Sequence, residues 1–184
     1  MSQDQYYFST SSADKVTEAQ AVFGPDNPRI RYLCSALTEI LDMDLVNVVR
    51  AKAAAAYREA RLPVIVEHGG LFIEHLSGLP GPLVKPTWVL LHDRICELVP
   101  RGAPRDAEAR SAVCFCDGRT RRVFEASVKG TLAEEARGCS GFHWDPVFIP
   151  VGKDKTFAEM SLEEKLGVSA SAKAYAQLRK ELGI

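Results

Sequence analysis

The sequence predicts an α/β protein, because strand-like and helix-like segments alternate through its first half. Residues 6–8 form a short β-prone run, and residues 13–23 follow as a helix that a Gly-Pro pair ends. Residues 31–37 are typical of a second strand, and residues 44–61 repeat apolar side chains at helical spacing. Alternation of this kind indicates a sheet with helices packed against it.

The second half of the chain predicts a β-hairpin and further helices. Residues 63–66 are a continuous apolar run, as expected of a central strand, and we expect it to end at Glu67. Residues 111–116 and 122–128 flank Asp117-Gly118, a dipeptide typical of hairpin turns. The other predicted elements are a helix over 87–99, a polar loop over 101–110, a strand over 147–149, and helices that begin after Ser161 and at Ser169.

The charges of the chain balance, with 23 lysine and arginine residues against 24 aspartate and glutamate residues. No global field therefore attracts it to nucleic acid or to an anionic membrane, and any phosphate recognition must be local. Residues 1–5 are polar and no apolar run approaches membrane-spanning length, so we expect neither a signal peptide nor a membrane helix. Five cysteines without a metal-binding knuckle predict reduced thiols in a cytoplasmic protein.

Two lysines lie at positions that an anionic ligand would explain. Thr10, Ser11 and Ser12 connect the first strand to the first helix, where free N–H groups and the positive end of the helix dipole attract anions, and Lys15 follows in the first turn. Alternatively, Ser12 only caps the helix and Lys15 is solvated. Lys52 falls in the apolar stripe of the second helix, so it either extends to solvent or meets an anion.

A loop near residue 145 combines aromatic and charged side chains. Phe142 and Trp144 offer flat rings for stacking, and Asp145 offers an acceptor for the edge of a heteroaromatic ligand. Lys165, twenty residues further on, supplies a positive charge that could return to the same place. The alternative, which residue types alone favour, is a core loop in which both rings pack inward and Asp145 makes a turn before Pro146.

The spacing of these segments strongly resembles the inosine triphosphate pyrophosphatase family, whose members hydrolyse non-canonical purine nucleoside triphosphates. The motif G-F-H-W-D-P-V-F-I-P is followed by K-T-F-A-E-M and then by E-E-K, in the order of that family. Three earlier segments match its other motifs, namely T-S-S-A-D-K-V-T-E at 10–18, L-T-E-I-L at 37–41 and G-L-P-G-P at 78–82. The resemblance covers nearly the whole chain.

This resemblance implies a single domain over residues 1–184, with a long, mixed, twisted sheet flanked by helices and two lobes with a nucleotide cleft between them. It also implies a homodimer and a Mg²⁺ ion held by Glu39. The implied phosphate-binding residues are Thr10, Ser11, Ser12, Lys15, Lys52, Gly69 and Lys85. The implied nucleoside-binding residues are Phe142, His143, Trp144, Asp145, Lys165, Ser169 and Ser171.

Three departures from the family pattern fall within these motifs. His68 replaces the catalytic aspartate that binds the metal, Ser12 replaces an asparagine, and Ser169-Ala170-Ser171 replaces an S-H-R segment that contacts the base. Histidine is a poor Mg²⁺ ligand, but it accepts a proton near neutral pH. The predicted catalytic residues are therefore His68, Glu39 and Glu67, with Glu67 joining Glu39 as a metal ligand.

Together, these features predict a divergent Mg²⁺-dependent enzyme that hydrolyses a nucleoside triphosphate to a monophosphate and pyrophosphate, with altered base choice. One alternative is a nucleotide-binding protein of the same fold with weak or lost catalysis. Another is a nucleotide phosphohydrolase repurposed for a different phosphate ester. The sequence leaves these alternatives open.

Overall fold

A computed structural model of the chain describes residues 5–184 and has the mixed α/β fold that the sequence predicts. Its seven strands are β1 (Tyr6–Ser9), β2 (Ile30–Leu33), β3 (Val64–Ile73), β4 (Pro80–Gly81), β5 (Asp106–Cys116), β6 (Arg121–Leu132) and β7 (Phe148–Pro150). The α-helices are α1 (Ala13–Phe23), α2 (Leu45–Ala60), α3 (Val84–Leu91), α4 (Leu162–Val168) and α5 (Ala170–Leu182).

All seven strands belong to one mixed sheet with the order β2-β1-β3-β5-β6-β7, and β4 pairs with β3 outside this path. β1 lies between β2 and β3 and is parallel to both. β4 is antiparallel to β3, and β7 is antiparallel to β6. The parallel half follows from the strand–helix alternation, since parallel neighbours need a crossover connection and α1 and α2 provide it.

The chain forms two compact units, each built from separate stretches of sequence. Unit 1 contains the residues up to His68 together with Ser111–Ala126 and Ser171–Ile184. Unit 2 contains Gly69–Arg110 and Ser127–Ala170. Consequently β3, β5 and β6 each begin in one unit and end in the other.

Each unit has its own apolar core. In unit 1, Phe8, Phe23 and the fully buried Tyr175 pack edge to face, with ring centroids 5.5–6.4 Å apart. In unit 2, Phe148 and Phe157 pack with centroids 5.1 Å apart. Ring quadrupoles favour edge-to-face and tilted pairs of this kind. In unit 1, the three rings come from β1, α1 and α5, so their packing fixes the two helices against the strand in a defined orientation.

Local side chains determine where the helices begin. The Ser12 hydroxyl caps α1 by accepting a hydrogen bond from the backbone of Lys15 at 3.3 Å. Asp44 caps α2 and accepts from the backbone of Val46 at 2.8 Å. Ser161 begins α4 with the predicted capping box, which reciprocal hydrogen bonds close.

The prediction that the central strand ends at Glu67 is wrong, because β3 continues to Ile73. Its glycines do not break it, and Gly70 instead allows β4 to approach. A Cβ atom on Gly70 would come within 3.0 Å of the backbone of Gly81. This close approach is a tertiary contact, which the local sequence does not encode.

Three other predicted boundaries are wrong. The helix expected over 87–99 is two segments, α3 and a 3₁₀ segment over His92–Leu98, because the backbone of His92 has a φ of 49°. The second half of the expected loop over 101–110 is strand, in which the buried Ala107 and Ala109 alternate with polar residues. The strand expected over 31–37 ends early, at Leu33.

Candidate active site

The turn from β1 into α1 places a lysine against a buried carboxylate in unit 1. The Nζ atom of Lys15 lies 2.6 Å from Oε2 of Glu67, whose side chain is 4% exposed. Oε1 of Glu67 accepts a hydrogen bond from the Ser111 hydroxyl at 2.8 Å. Thr10 and Ser12 serve the backbone here, since their hydroxyl oxygens accept bonds from the amides of Ser12 and Lys15.

Lys15 and Glu67 shift each other's pKa values in opposite directions. Burial alone raises the pKa of Glu67, but the charges of Lys15 and Lys52 and the hydrogen bond from Ser111 outweigh it, so the pKa lies below its usual value. Burial alone lowers the pKa of Lys15, but the carboxylates of Glu67, Glu39 and Glu18 outweigh it and raise this pKa. Both groups are therefore charged near neutral pH.

A second lysine, Lys52, reaches the same part of unit 1 from α2. It is 8% exposed, and its Nζ atom donates to Oε1 of Glu39 at 2.6 Å and to the backbone oxygen of Glu67 at 3.1 Å. Of the two possibilities for a lysine in an apolar stripe, the structure therefore has the one in which it meets an anion. Burial and the neighbouring charge of Lys15 lower the pKa of Lys52, against the raising effect of Glu39 and Glu67.

His68 lies next to these pairs on β3. It is 6% exposed, and its Nδ1 atom is 3.8 Å from Oε2 of Glu39. Glu39 comes from the segment between β2 and α2, so its two oxygens face a lysine and an imidazole. Five predicted residues therefore converge within unit 1, namely Lys15, Glu39, Lys52, Glu67 and His68.

A second cluster, in unit 2, centres on Asp145. Its Oδ2 atom accepts hydrogen bonds from Nζ of Lys165 at 2.6 Å and from the backbone N–H of Phe142 at 2.8 Å. Gly141 has a φ of +77°, and a Cβ atom there would lie 2.2 Å from this same oxygen. The loop therefore needs glycine at this position, and the sequence motif G-F-H-W-D has a structural basis.

The two predicted stacking rings differ in their surroundings. The Trp144 indole packs against the core rings of Phe148 and Phe157, with centroids 5.9 and 6.1 Å away. The half-buried Phe142 ring lies 4.9 Å from Nζ of Lys165, and its other aromatic contact is His143 at 5.0 Å. Phe142 is therefore the ring that belongs to the Asp145 cluster, whereas Trp144 belongs partly to the core.

Other predicted residues take different positions. Lys85 is exposed at the start of α3 in unit 2, and Ser11 is exposed before α1 in unit 1. Gly69 follows His68 on β3 and belongs to unit 2. Ser169 is the buried C-cap of α4, and its backbone N–H donates to the carbonyl of Lys165 at 2.8 Å.

Two residues of unit 1, Glu18 and Ser111, were not predicted as site residues from the sequence. The buried Glu18 carboxylate accepts a hydrogen bond from the Ser171 hydroxyl at 3.0 Å. Glu18 is the last residue of the K-x-x-E part of the first motif. That spacing places Glu18 on the same face of α1 as Lys15, so the motif carried a usable signal. Ser111 comes from β5, and no local pattern points to it.

Across residues 5–184, no group of three or more His, Cys, Asp or Glu side chains has the arrangement of a metal site. Instead, lysines pair with the two carboxylates near His68: Lys52 with Glu39 and Lys15 with Glu67. In the same part of the chain, no helix is long and apolar enough to cross a membrane.

The fold and these two clusters define an α/β protein with lysine–carboxylate pairs in one unit and a carboxylate-centred aromatic loop in the other. A family model described as the Ham1 family matches residues 6–181, and the chain belongs to this family. This finding confirms the resemblance that the motifs predict.

Curated relatives cover most of the chain. The dITP/XTP pyrophosphatase of Saccharolobus solfataricus is 38% identical over 176 residues, which are 94% of this chain and 91% of the relative. The dITP/XTP pyrophosphatase of Methanopyrus kandleri is 35% identical over 91% of this chain and 90% of its own length.

Solved structures share the fold. A HAM1 protein from Coxiella burnetii has a TM-score of 0.84 at 21% identity, covering 98% of this chain and 99% of that one. The Ham1 protein of Staphylococcus aureus has a TM-score of 0.76 at 20% identity, covering 96% and 98%.

Proposed function

We propose that this protein is a pyrophosphatase that hydrolyses non-canonical purine nucleoside triphosphates to the monophosphate and pyrophosphate, using a divalent cation, Mg²⁺ in the cell. Relatives that are 35–38% identical over most of the chain carry the name dITP/XTP pyrophosphatase. The observation that carries the proposal is the convergence of Lys15 and Lys52 on Glu67 and Glu39, at 2.6 Å in each ion pair.

The donor chemistry supports the cation in part. Glu39 and Glu67 supply the carboxylate oxygens that Mg²⁺ prefers. Oε2 of Glu67 is buried, and it forms the ion pair with Lys15 at 2.6 Å. A cation bound by these two carboxylates would neutralise phosphate charge during hydrolysis. His68 does not fit Mg²⁺, and we assign it another role.

The side chains of unit 1 would act on the triphosphate. Lys15 and Lys52 donate hydrogen bonds and accept none, so they can exchange their carboxylate partners for phosphate oxygens. The hydroxyls of the turn over 10–12 would add phosphate contacts, as would Lys85 of unit 2. His68 would accept a proton from the attacking water, a contribution typically worth about 10²–10⁴-fold in rate.

The side chains of unit 2 would bind the nucleoside. Phe142 offers its half-buried ring for stacking, and Asp145 and Lys165 offer an acceptor and a donor for the edge of the base. Trp144 and His143 would complete the stacking surface. Ser169 of this unit and Ser171 of unit 1 would replace the S-H-R contacts. We also propose that residues 1–184 work as one domain, since neither unit is a continuous stretch of chain, and that the enzyme is a cytoplasmic homodimer.

Pyrophosphate release from a panel of purine and pyrimidine triphosphates, including ITP, XTP, ATP and GTP, tests this proposal. We expect turnover of the non-canonical purines with Mg²⁺ and its loss in Lys52→Met. Phe142→Ala should raise KM more than it lowers kcat. Lys155→Met, which changes an exposed lysine, is the matched control.

Variants of His68 separate the enzyme from its alternatives. Turnover that falls in His68→Ala supports catalysis with a histidine base. Tight nucleotide binding without turnover, together with turnover gained in His68→Asp, would instead identify a nucleotide-binding protein. Absence of both binding and turnover for every triphosphate would overturn the proposal.

A further inference from the structure

One fully buried tyrosine of unit 1 carries a hydroxyl that no hydrogen bond satisfies. Tyr175 of α5 is 0% exposed, and its ring packs edge to face on Phe8 and Phe23, with centroids 5.7 and 5.5 Å away. Among residues 5–184, its hydroxyl has no hydrogen-bond partner. A buried hydroxyl in this state costs stability, and phenylalanine would fill the same space without that cost. The hydroxyl therefore calls for an explanation beyond packing.

The Tyr175 hydroxyl lies near the lysine–carboxylate pair of the candidate site. Ser171, one turn earlier on α5, donates to Glu18 at 3.0 Å. Glu18 is one turn from Lys15 on α1, and Nζ of Lys15 is 2.6 Å from Oε2 of Glu67. Burial, followed by the charges of Glu67 and Glu18, raises the pKa of Tyr175 well above its usual value. The phenol is therefore a neutral donor close to the carboxylate that Lys15 holds.

In the proposed function, Lys15 leaves this carboxylate when substrate binds. Oε1 of Glu67 has a second donor, the Ser111 hydroxyl at 2.8 Å, but Oε2 loses the ion pair when Lys15 turns to a phosphate oxygen. A buried carboxylate that loses its cation is strongly destabilised. A further donor for this carboxylate would therefore favour the exchange of Lys15 from protein to substrate.

We propose that Tyr175 is a positioning residue whose hydroxyl donates a hydrogen bond to Glu67 when Lys15 turns to the phosphates. This inference rests on the proposed function, because it concerns the contact of Lys15 with the triphosphate. In the free protein Lys15 holds the carboxylate and the phenol donates to no group. In the substrate complex the phenol replaces Lys15, keeps its own proton and holds Glu67 in place.

Thermal unfolding of the free protein gives the first test. Tyr175→Phe removes the unbonded hydroxyl and keeps the ring, so it should raise Tm by about 2–4 °C. Lys15→Met leaves Glu67 without its cation even when no substrate is bound, and the hydroxyl should then donate to the carboxylate. In that background Tyr175→Phe should lower Tm instead. This change of sign distinguishes a donor for Glu67 from a residue that only packs.

Binding of inorganic tripolyphosphate gives the second test. Calorimetry without divalent cations measures its Kd, so that no metal ion takes the place of Lys15. Tyr175→Phe should raise this Kd by about tenfold, since a hydrogen bond to a charged group is lost in the complex. With a nucleoside triphosphate and Mg²⁺, KM should rise while kcat stays the same, because the bond is present in both the substrate complex and the transition state.

A second tyrosine of unit 1 provides the matched control. The Tyr32 hydroxyl is also buried and without a hydrogen-bond partner in the described chain, and its ring packs on Phe8 with centroids 6.0 Å apart. Burial alone raises the pKa of Tyr32, to about 12, without a contribution from a carboxylate. Tyr32→Phe should therefore raise Tm in both backgrounds and change neither Kd nor KM.

A fall of Tm in Tyr175→Phe alone would overturn the inference, because the hydroxyl would then already have a partner. A tripolyphosphate Kd equal to that of the wild-type protein, or a rise of Tm in folded Lys15→Met as well, would also overturn it. If Lys15→Met does not fold, the binding measurement decides. Pyrophosphate release by the wild-type protein is a separate measurement, and its absence together with the change of sign in Tm would overturn the proposed function alone.

Discussion

Among single residues, the buried pair of Lys15 and Glu67 offers the clearest link between charge and stability. Lys15→Met leaves the Glu67 carboxylate buried without its cation, and breaking such a pair from one side typically costs about 3–5 kcal/mol. We therefore expect a loss of this size in the free energy of unfolding at pH 7, measured by urea denaturation. The double variant Lys15→Met/Glu67→Gln should lose much less, because neither member of the pair is then left buried with an unpaired charge.

A surface ion pair provides the control for this experiment. Lys155 and Glu164 are 3.0 Å apart, but both side chains are about half exposed, at 49% each. Water and salt screen such a pair, so Lys155→Met should leave the urea midpoint unchanged within error. Equal effects of Lys15→Met and Lys155→Met would contradict the view that burial makes the first pair matter.

The same carboxylate predicts an acid limit to stability. Burial opposes the effect, but Lys15, Lys52 and Ser111 hold the pKa of Glu67 below the value of about 4.3 expected in an unfolded chain. A depressed folded-state pKa contributes stability above the unfolded value and loses it as the pH falls through the folded value. Urea midpoints from pH 7 to pH 3 should therefore fall more steeply in the wild-type protein than in Lys15→Met/Glu67→Gln. Parallel curves would contradict this assignment.

At the level of the individual helices and strands, the parts that could be predicted from the sequence are those that neighbouring residues determine. The helices α1, α2 and α4 begin at or next to the predicted residues, because a cap or an apolar repeat and its helix are close in sequence. The continuation of β3 beyond Glu67 depends on β4, a partner that no local pattern identifies. Boundaries set by such tertiary pairing could not be predicted.

In the candidate site, too, local patterns identified some residues, and only tertiary pairing explains the others. Lys52 stood out as a charge in an apolar stripe, and its contact with Glu39 explains that pattern. Asp145 and Lys165, twenty residues apart, form the buried pair that their motif suggested. Ser111, however, reaches Glu67 across 44 positions of sequence, and only the pairing of strands in the sheet brings it there.

The turn between β5 and β6 is packed against α2, and one glycine makes this contact possible. Gly118 has a φ of +88°, and a Cβ atom there would lie 2.3 Å from the Tyr57 ring. Gly118→Ala should therefore destabilise the protein by at least about 1 kcal/mol from backbone strain, with the steric overlap added. Thermal or urea unfolding measures the loss.

A double-mutant cycle separates these two causes. In a Tyr57→Leu background the overlap is relieved and the backbone strain is left, so Gly118→Ala should cost less there than in the wild-type protein. Gly102→Ala is a matched control, because its φ of +81° is similar but its Cβ atom would have no neighbour within 4 Å. Identical costs at Gly118 in both backgrounds would exclude the Tyr57 contact as a cause.

For the whole molecule, the central question is whether the two units unfold together. Three strands cross the boundary between the units, at residues 68–69, 110–111 and 126–127. Unfolding one unit therefore removes the ends of β3, β5 and β6 from the other. Because neither unit is a continuous stretch of chain, we expect a single cooperative transition.

Cysteine reactivity measures this cooperativity. Cys34 and Cys139 are exposed, whereas Cys96 in unit 2 and Cys114 in unit 1 are buried, and burial raises their pKa values to about 11 and about 12. At pH 8 the exposed thiols should react with a maleimide at once, and the buried thiols only when the chain opens. Peptide mass spectrometry across a urea series should give the same dependence of labelling rate on urea for Cys96 and Cys114, because the slope reports the surface exposed in the opening. If Cys96 were instead labelled at urea concentrations that leave Cys114 protected, unit 2 would open while unit 1 stays folded. That result would contradict the expectation that the shared strands make the two units unfold together.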